Sequence, residues 1–233
     1  MNNILAIIPV RGGSNGIPGK NIKLLNGKPL LAYTSEIALQ SKYFNEVIIS
    51  TEDAQIIEVA KSLGVKVPFV RPMELAQDNT PTLDTIIHAL QWYETQNIFF
   101  DAVCLLQVTS PFRTLEFLNK AIETFIQQES DSLVSVQKVP HEYNPHWTFE
   151  VNSDGYLKIA TGETEIISRR QELPIAYHRD GSIYITKTNV ISEQNSLYGK
   201  NIAFIESDPE LYVNIDNMQD WEKAEEMIKN RLK

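Results

Sequence analysis

The chain has 233 residues, 42% hydrophobic and 22% charged, with a formal net charge of −9 and a sequence pI near 5.0. That apolar content can bury a core as one domain, with or without a small insertion. The acidic balance excludes a nucleic-acid or anionic-membrane surface over most of the protein, because either polyanion would be repelled. Cys104 is the only cysteine, so neither an intrachain disulfide nor a cysteine-cluster metal site can form, and the cytoplasm is the default compartment.

In chain order, residues 4–10 form an apolar run that no basic residue precedes and that Arg11 ends, which reads as a buried strand rather than a secretion signal. No stretch approaches the roughly 20 apolar residues that span a membrane. Residues 46–50, 65–70, 102–106 and 132–136 are short and rich in Val, Ile and Leu, and read as further strands, several buried on both faces as in a parallel sheet. Between them, Ile56, Val59, Ala60 and Leu63 repeat at helical spacing, as do Leu83, Ile86, Ile87 and Leu90, and then Leu115, Leu118, Ile122 and Phe125. This βαβ succession predicts an α/β fold. It is an open, mostly parallel sheet with helices on both faces and a ligand site at the carboxyl ends of its strands. The regularity breaks after Val139. A polar, alternating stretch around the turn signal Asn152-Ser153-Asp154-Gly155 predicts a small β-rich insertion over 140–176 within one domain of 1–233. Strand signals return at 181–186, 202–205 and 212–215, and a helix is predicted over 218–229.

The charge is unevenly placed. Residues 1–35 hold Arg11, Lys20, Lys23 and Lys28 and no acidic residue, the first being Glu36, which suggests a small anionic ligand near the N-terminus. Arg11-Gly12-Gly13-Ser14-Asn15-Gly16-Ile17-Pro18-Gly19-Lys20-Asn21 directly follows the first strand. Glycines let backbone N–H groups approach phosphate oxygens, and Arg11 and Lys20 supply the charge a triphosphate needs. A Walker loop would need Gly at Ser14 and Ser or Thr at Asn21, and a dinucleotide fingerprint would need Gly at Arg11, so neither is present. The competing explanation is a glycine-rich turn with solvated cations.

This loop, followed by Asn26-Gly27-Lys28-Pro29-Leu30-Leu31, resembles the opening of the acylneuraminate cytidylyltransferase family, enzymes that make CMP-activated sialic and related nonulosonic acids. Further motifs keep the family order: Ser50-Thr51-Glu52-Asp53, Val70-Arg71-Pro72, Leu106-Gln107-Val108-Thr109-Ser110-Pro111-Phe112-Arg113, Arg179-Asp180-Gly181-Ser182-Ile183-Tyr184 and Asn214-Ile215-Asp216. The resemblance covers nearly the whole chain. It implies a sheet of the nucleotide-diphospho-sugar-transferase type, CTP and a small acidic sugar as substrates, Mg2+ as cofactor and a homodimer joined through the insertion.

By the same resemblance, Arg11 and Lys20 contact the triphosphate, with Gly13, Ser14 and Asn21 of the loop beside them. Arg71 and Thr82 lie by the base and ribose, Gln107 contacts the sugar, Arg170 pairs with the sugar carboxylate, and Tyr184 is a further substrate-binding residue. Guanidinium forks suit phosphate and carboxylate, and an ammonium acts as a point charge. Asn214 and Asp216 stand where the family has two magnesium-binding aspartates, the first here being an amide. Each residue has a plainer explanation. Arg71 could be a surface residue before a turn proline, Ser110 and Thr109 helix caps, Arg169-Arg170 a solvated pair, and Asp216 the N-cap of the last helix. Asn15 replaces a common family lysine, and Trp147 stands where sialic-acid enzymes often place a basic sugar contact, which leaves the sugar open. His88, His141, His146 and His178 lack metal-ligand spacing, and His88 reads as a helix-flank residue. The rival classes are a nucleotide-sugar glycosyltransferase, for which the chain lacks a mid-chain Asp-x-Asp, and a catalytically silent nucleotide-binding protein.

Overall fold

The computed structural model describes residues 3–14 and 16–231, so Asn15 lies outside the described residues. In chain order the elements are β1 (Ile4–Pro9), β2 (Leu24–Leu25), β3 (Lys28–Pro29), α1 (Leu30–Gln40), β4 (Glu46–Ser50), α2 (Ala54–Ser62), α3 (Thr82–Thr95), β5 (Ala102–Leu106) and α4 (Leu115–Gln127). They continue with β6 (Ser132–Lys138), β7 (Phe149–Val151), β8 (Leu157–Ile159), β9 (Tyr177–Lys187), α5 (Thr188–Gln194), β10 (Ile202–Glu206) and α6 (Met218–Arg231). Six strands form the central sheet in the order β10-β6-β9-β5-β1-β4. Its β1–β4, β1–β5 and β6–β10 pairs are parallel. β9 runs antiparallel to both of its neighbours, because the chain leaves β6 through the insertion and returns alongside it.

Alternation along the strands divides the core in two. Ile4, Ala6 and Ile8 of β1, with Ala102, Cys104 and Leu106 of β5, pack on the face covered by α1, α2, α4 and α6. Leu5 and Ile7, with Val103, Leu105 and Tyr184, face α3 and α5. Cys104 is buried, and burial pushes its thiol up to about 12, which leaves it un-ionised at neutral pH. No helix among the described residues is long and apolar enough to cross a membrane.

Two predicted strands are absent. Residues 65–70 make only isolated bridges, Ile48 with Lys66 and Thr51 with Val70; Pro68, which has no N–H to donate, stands between them. Residues 212–215 are extended without a ladder partner, and Ile215 N–H bonds instead to Thr109 O at 2.9 Å. The sequence reading missed α1, whose helical repeat is blurred by the fully buried Thr34 and Ser35. It also missed α5, which follows β9 without an intervening turn. In the insertion, Asn152 Oδ1 accepts from the N–H groups of Asp154 and Tyr156, and Gly155 has φ +84°, so the turn signal closes the β7–β8 hairpin.

Candidate functional site

A cleft of about 370 Å3 opens at the carboxyl ends of β1 and β5. Of the residues singled out from sequence, Arg11, Gly13, Ser14, Lys20, Asn21, Arg71, Thr82, Gln107, Asn214 and Asp216 line it.

Two glycines of the first loop are there for close approach. A Cβ on Gly12 would stand 2.3 Å from Asp53 Oδ2, and one on Gly16 would stand 2.0 Å from Asp216 O. Gly13 has nothing within 4 Å of that position, so its backbone faces open cleft. Asn21 is buried and donates to Arg11 O at 2.9 Å, bracing the loop from behind. Lys20 Nζ donates to Ile215 O at 2.8 Å and lies 3.5 Å from Asp216 Oδ1, tying the loop to the far wall. Burial lowers the Lys20 pKa, and the Asp216 carboxylate opposes the shift. Arg11 crosses the cleft mouth to pair with Asp78, a residue no sequence signal marked.

Arg71 is not a surface residue. Only 4% exposed, it pairs with Glu52 at 2.7 Å and donates to Val10 O at 2.8 Å. Glu52 also accepts from Gly12 N–H at 2.7 Å, so one buried ion pair fixes the start of the glycine loop. The Nε of Arg71 is buried without a hydrogen-bond partner, an unspent donor beside the cleft.

On the opposite wall, Thr114 rather than Thr109 or Ser110 caps α4, accepting from Phe117 N–H at 3.1 Å. Asp216 is not the cap of α6 either. Asn217 Oδ1 accepts from the N–H groups of Gln219 and Asp220, and Asp220 returns a carboxylate oxygen to the N–H groups of Asp216 and Asn217. The Asp216 side chain is therefore available to the cleft. Asn214 Nδ2 donates to Asp216 Oδ2 at 2.6 Å, so the two side chains share a side although the segment is not a ladder strand.

Two expectations lie elsewhere. Tyr184 is opposite Leu105 and Val134 in the sheet, 6% exposed, on the α3 face, and does not line the cleft. Burial pushes its phenol up to about 12. Strand alternation places it there, because its neighbours Ile183 and Ile185 occupy the other face. Arg170 is exposed on a short turn of the insertion and does not reach the cleft of its own chain, while Arg169 pairs with Glu172. Trp147 donates to Ile167 O at 2.6 Å, which holds the insertion together. His88 is half-buried on α3 with its ring edge-on to Phe69.

Sequence reading gave no role to Arg113 or Asp180, both buried just behind Gln107. They sit inside the quoted motifs, but their partners are distant in sequence and no spacing announces them.

A cation-bearing glycine loop thus faces an Asn-x-Asp pair across the carboxyl ends of an open α/β sheet, the place where such sheets bind their ligands. The Cytidylyltransferase family model matches residues 5–231, and the chain belongs to that family. It is 38% identical to a CMP-N,N'-diacetyllegionaminic acid synthase of Legionella pneumophila, over 97% of this chain and 96% of the relative. It is 35% identical to a pseudaminic acid cytidylyltransferase of Campylobacter jejuni, again over 97% and 96%. An N-acylneuraminate cytidylyltransferase of Escherichia coli is 33% identical over 95% of this chain, which spans 51% of that longer protein. Among solved structures, a CMP:2-keto-3-deoxy-manno-octonic acid synthetase complexed with CTP has the same fold. Its TM-score is 0.72 over 98% of this chain and 99% of that one, at 18% identity.

Proposed function

We propose that this protein transfers CMP from CTP to the anomeric hydroxyl of a nonulosonic acid and releases pyrophosphate. The supporting observation is the cleft itself, which sets Arg11, Lys20 and Arg71 on one side and Gln107, Asn214 and Asp216 on the other. In this reading the sugar's anomeric 2-hydroxyl oxygen bonds to the α-phosphorus, the bond to the bridging oxygen breaks, and the hydroxyl proton passes to solvent or to Asp216. Arg11 exchanges Asp78 for phosphate, and Lys20 stabilises charge at the leaving group. In this reading the Arg71 side chain, whose buried Nε has no partner, would serve the nucleotide. Gln107 orients the acid, so that catalysis is mainly positioning and charge stabilisation. Acids of the legionaminic and pseudaminic type head the candidates, since relatives named for them align over nearly their full length.

Magnesium is part of the proposal. One carboxylate and one amide oxygen would fill two of six octahedral positions, which suits an ion that takes its other ligands from water and substrate phosphates. Asp216 and Asn214 would hold it, and it would screen the charge of the triphosphate.

The insertion supports assembly. Its apolar side chains Phe149, Val151, Leu157 and Ile175 are exposed, with Tyr156 at 73%, and a two-stranded hairpin is marginally stable by itself. A second copy would cover that surface and bring the partner's insertion, with the equivalent of Arg170, toward this cleft. Light scattering at micromolar concentration should give twice the chain mass; a fully active monomer would remove this part of the proposal. The same reading places the enzyme in the cytoplasm, where CTP is available. Nucleotide choice tests the proposal directly. CTP with magnesium should raise the melting temperature more than ATP, GTP or UTP, since a ligand stabilises the state that binds it; equal responses to all four would reject it.

A further inference from the structure

The ladder between β6 and β9 breaks beside the cleft. Val134 pairs with Tyr184 and Val136 with Arg179, so Ser135 alone faces residues 180–183 across a wide bulge. The carboxylate of Asp180, 3% exposed, closes that bulge. It accepts from Ser182 N–H at 2.8 Å and from the hydroxyls of Ser135 and Ser207. Ser135 Oγ in turn accepts from Ile183 N–H at 2.7 Å. From the other side the buried Arg113 donates to Ser182 O at 2.6 Å, to Ser182 Oγ at 3.1 Å and to Gln107 O at 3.1 Å. Burial brings the Arg113 pKa down to about 10, still cationic at neutral pH.

The network approaches the cleft-lining Gln107 at Gly181. Its φ is +79°, and a Cβ there would stand 3.3 Å from Gln107 Oε1 and 3.9 Å from Asn214 Oδ1. A side chain at position 181 would therefore press on the Gln107 amide. Charge-assisted hydrogen bonds to a buried carboxylate are stronger than neutral ones, so Asp180 holds the bulge firmly.

We propose that Asp180 is a positioning residue for the acid-substrate half of the site. It fixes the 180–183 bulge, the bulge fixes Gly181, and Gly181 sets the placement of Gln107. This rests on the proposed role of Gln107 toward the acid. Among the described residues, the side chains of Arg11, Lys20 and Arg71 bond to Asp78, Ile215, Asp216, Val10 and Glu52, outside the network, so the acid should be affected and CTP should not.

The experiment varies both substrates at steady state for wild type, Asp180→Ala and Asp180→Asn, with thermal melts alongside. Asp180→Ala should raise the KM for the acid about tenfold or more, since ångström-scale misplacement of an orienting group is costly, while the CTP KM stays within about twofold. Asp180→Asn keeps an acceptor oxygen for Ser135 and for Ser182 N–H, and should recover most of the loss. If Asp180→Ala does not fold, Ser207→Ala, which removes one of the three donors, should still raise the acid KM alone, by a few-fold. An unchanged acid KM in the folded variants, or equal rises for acid and CTP, would overturn the proposal while wild-type transfer remains intact. A wild type that transfers CMP to no acid would overturn the proposed function, and this proposal with it.

Discussion

Asp216→Ala should lower turnover by about two to three orders of magnitude, the several kcal/mol that charge stabilisation at a phosphoryl centre supplies. Its melting temperature should barely move. Asn217 and Asp220 cap α6, so Asp216 carries no helix end, and a substitution at so exposed a position changes stability within about 0.5 kcal/mol. Asn214→Asp provides the converse. The amide of Asn214 now donates to Asp216, and a carboxylate in its place would repel that neighbour until a dication bridged the two. The magnesium concentration for half-maximal rate should therefore fall, and magnesium alone should stabilise the variant more than it stabilises wild type. A magnesium titration of initial rate, with melts, checks both variants. Metal dependence unaltered in either would show that the 214–216 segment does not hold the ion.

The second large effect is on the fold. Glu52→Ala should destabilise the protein by about 3 kcal/mol, because it strands a buried guanidinium, and should lower the melting temperature by roughly 10 °C. Among the described residues the Arg71 guanidinium would keep only Val10 O of its present acceptors, and Gly12 N–H would lose its acceptor. The loosened loop should also weaken CTP binding, whereas Glu52→Gln keeps an acceptor for Gly12 and should lose less. Thermal melts and the CTP KM of both variants measure this. An unaffected melting temperature in Glu52→Ala would mean that the pair does not brace the loop.

The parts of the molecule legible in the sequence are those whose cause is local. The apolar runs of β4 and β5 lie at their expected bounds, because a strand buried on both faces needs no partner to be recognised. The loop over 11–21 was legible as a loop because four glycines and a proline directly follow an apolar strand. Helix α1 was not, since Thr34 and Ser35 occupy its buried face and break the apolar repeat. Glu52, Arg113 and Asp180 were visible as letters in motifs, but their roles depend on Arg71, Ser182 and Ser207, which only the folded sheet brings near. Tyr184 was misplaced because a motif does not say to which face a strand residue points. Arg170 belongs to an insertion whose apolar side chains lack cover within the chain, and a single sequence does not say what covers them.

The central claim is CMP transfer to an acidic nine-carbon sugar, and product formation tests it most directly. The protein is incubated with CTP, magnesium and, in turn, N,N'-diacetyllegionaminic, pseudaminic, N-acetylneuraminic and ketodeoxyoctulosonic acids, and pyrophosphate and the CMP-sugar are followed by phosphorus NMR. The account predicts stoichiometric pyrophosphate and CMP-sugar with at least one of the three nonulosonic acids, and none when ATP, GTP or UTP replaces CTP. Absence of product with all three, or product with the eight-carbon ketodeoxyoctulosonic acid alone, would contradict it.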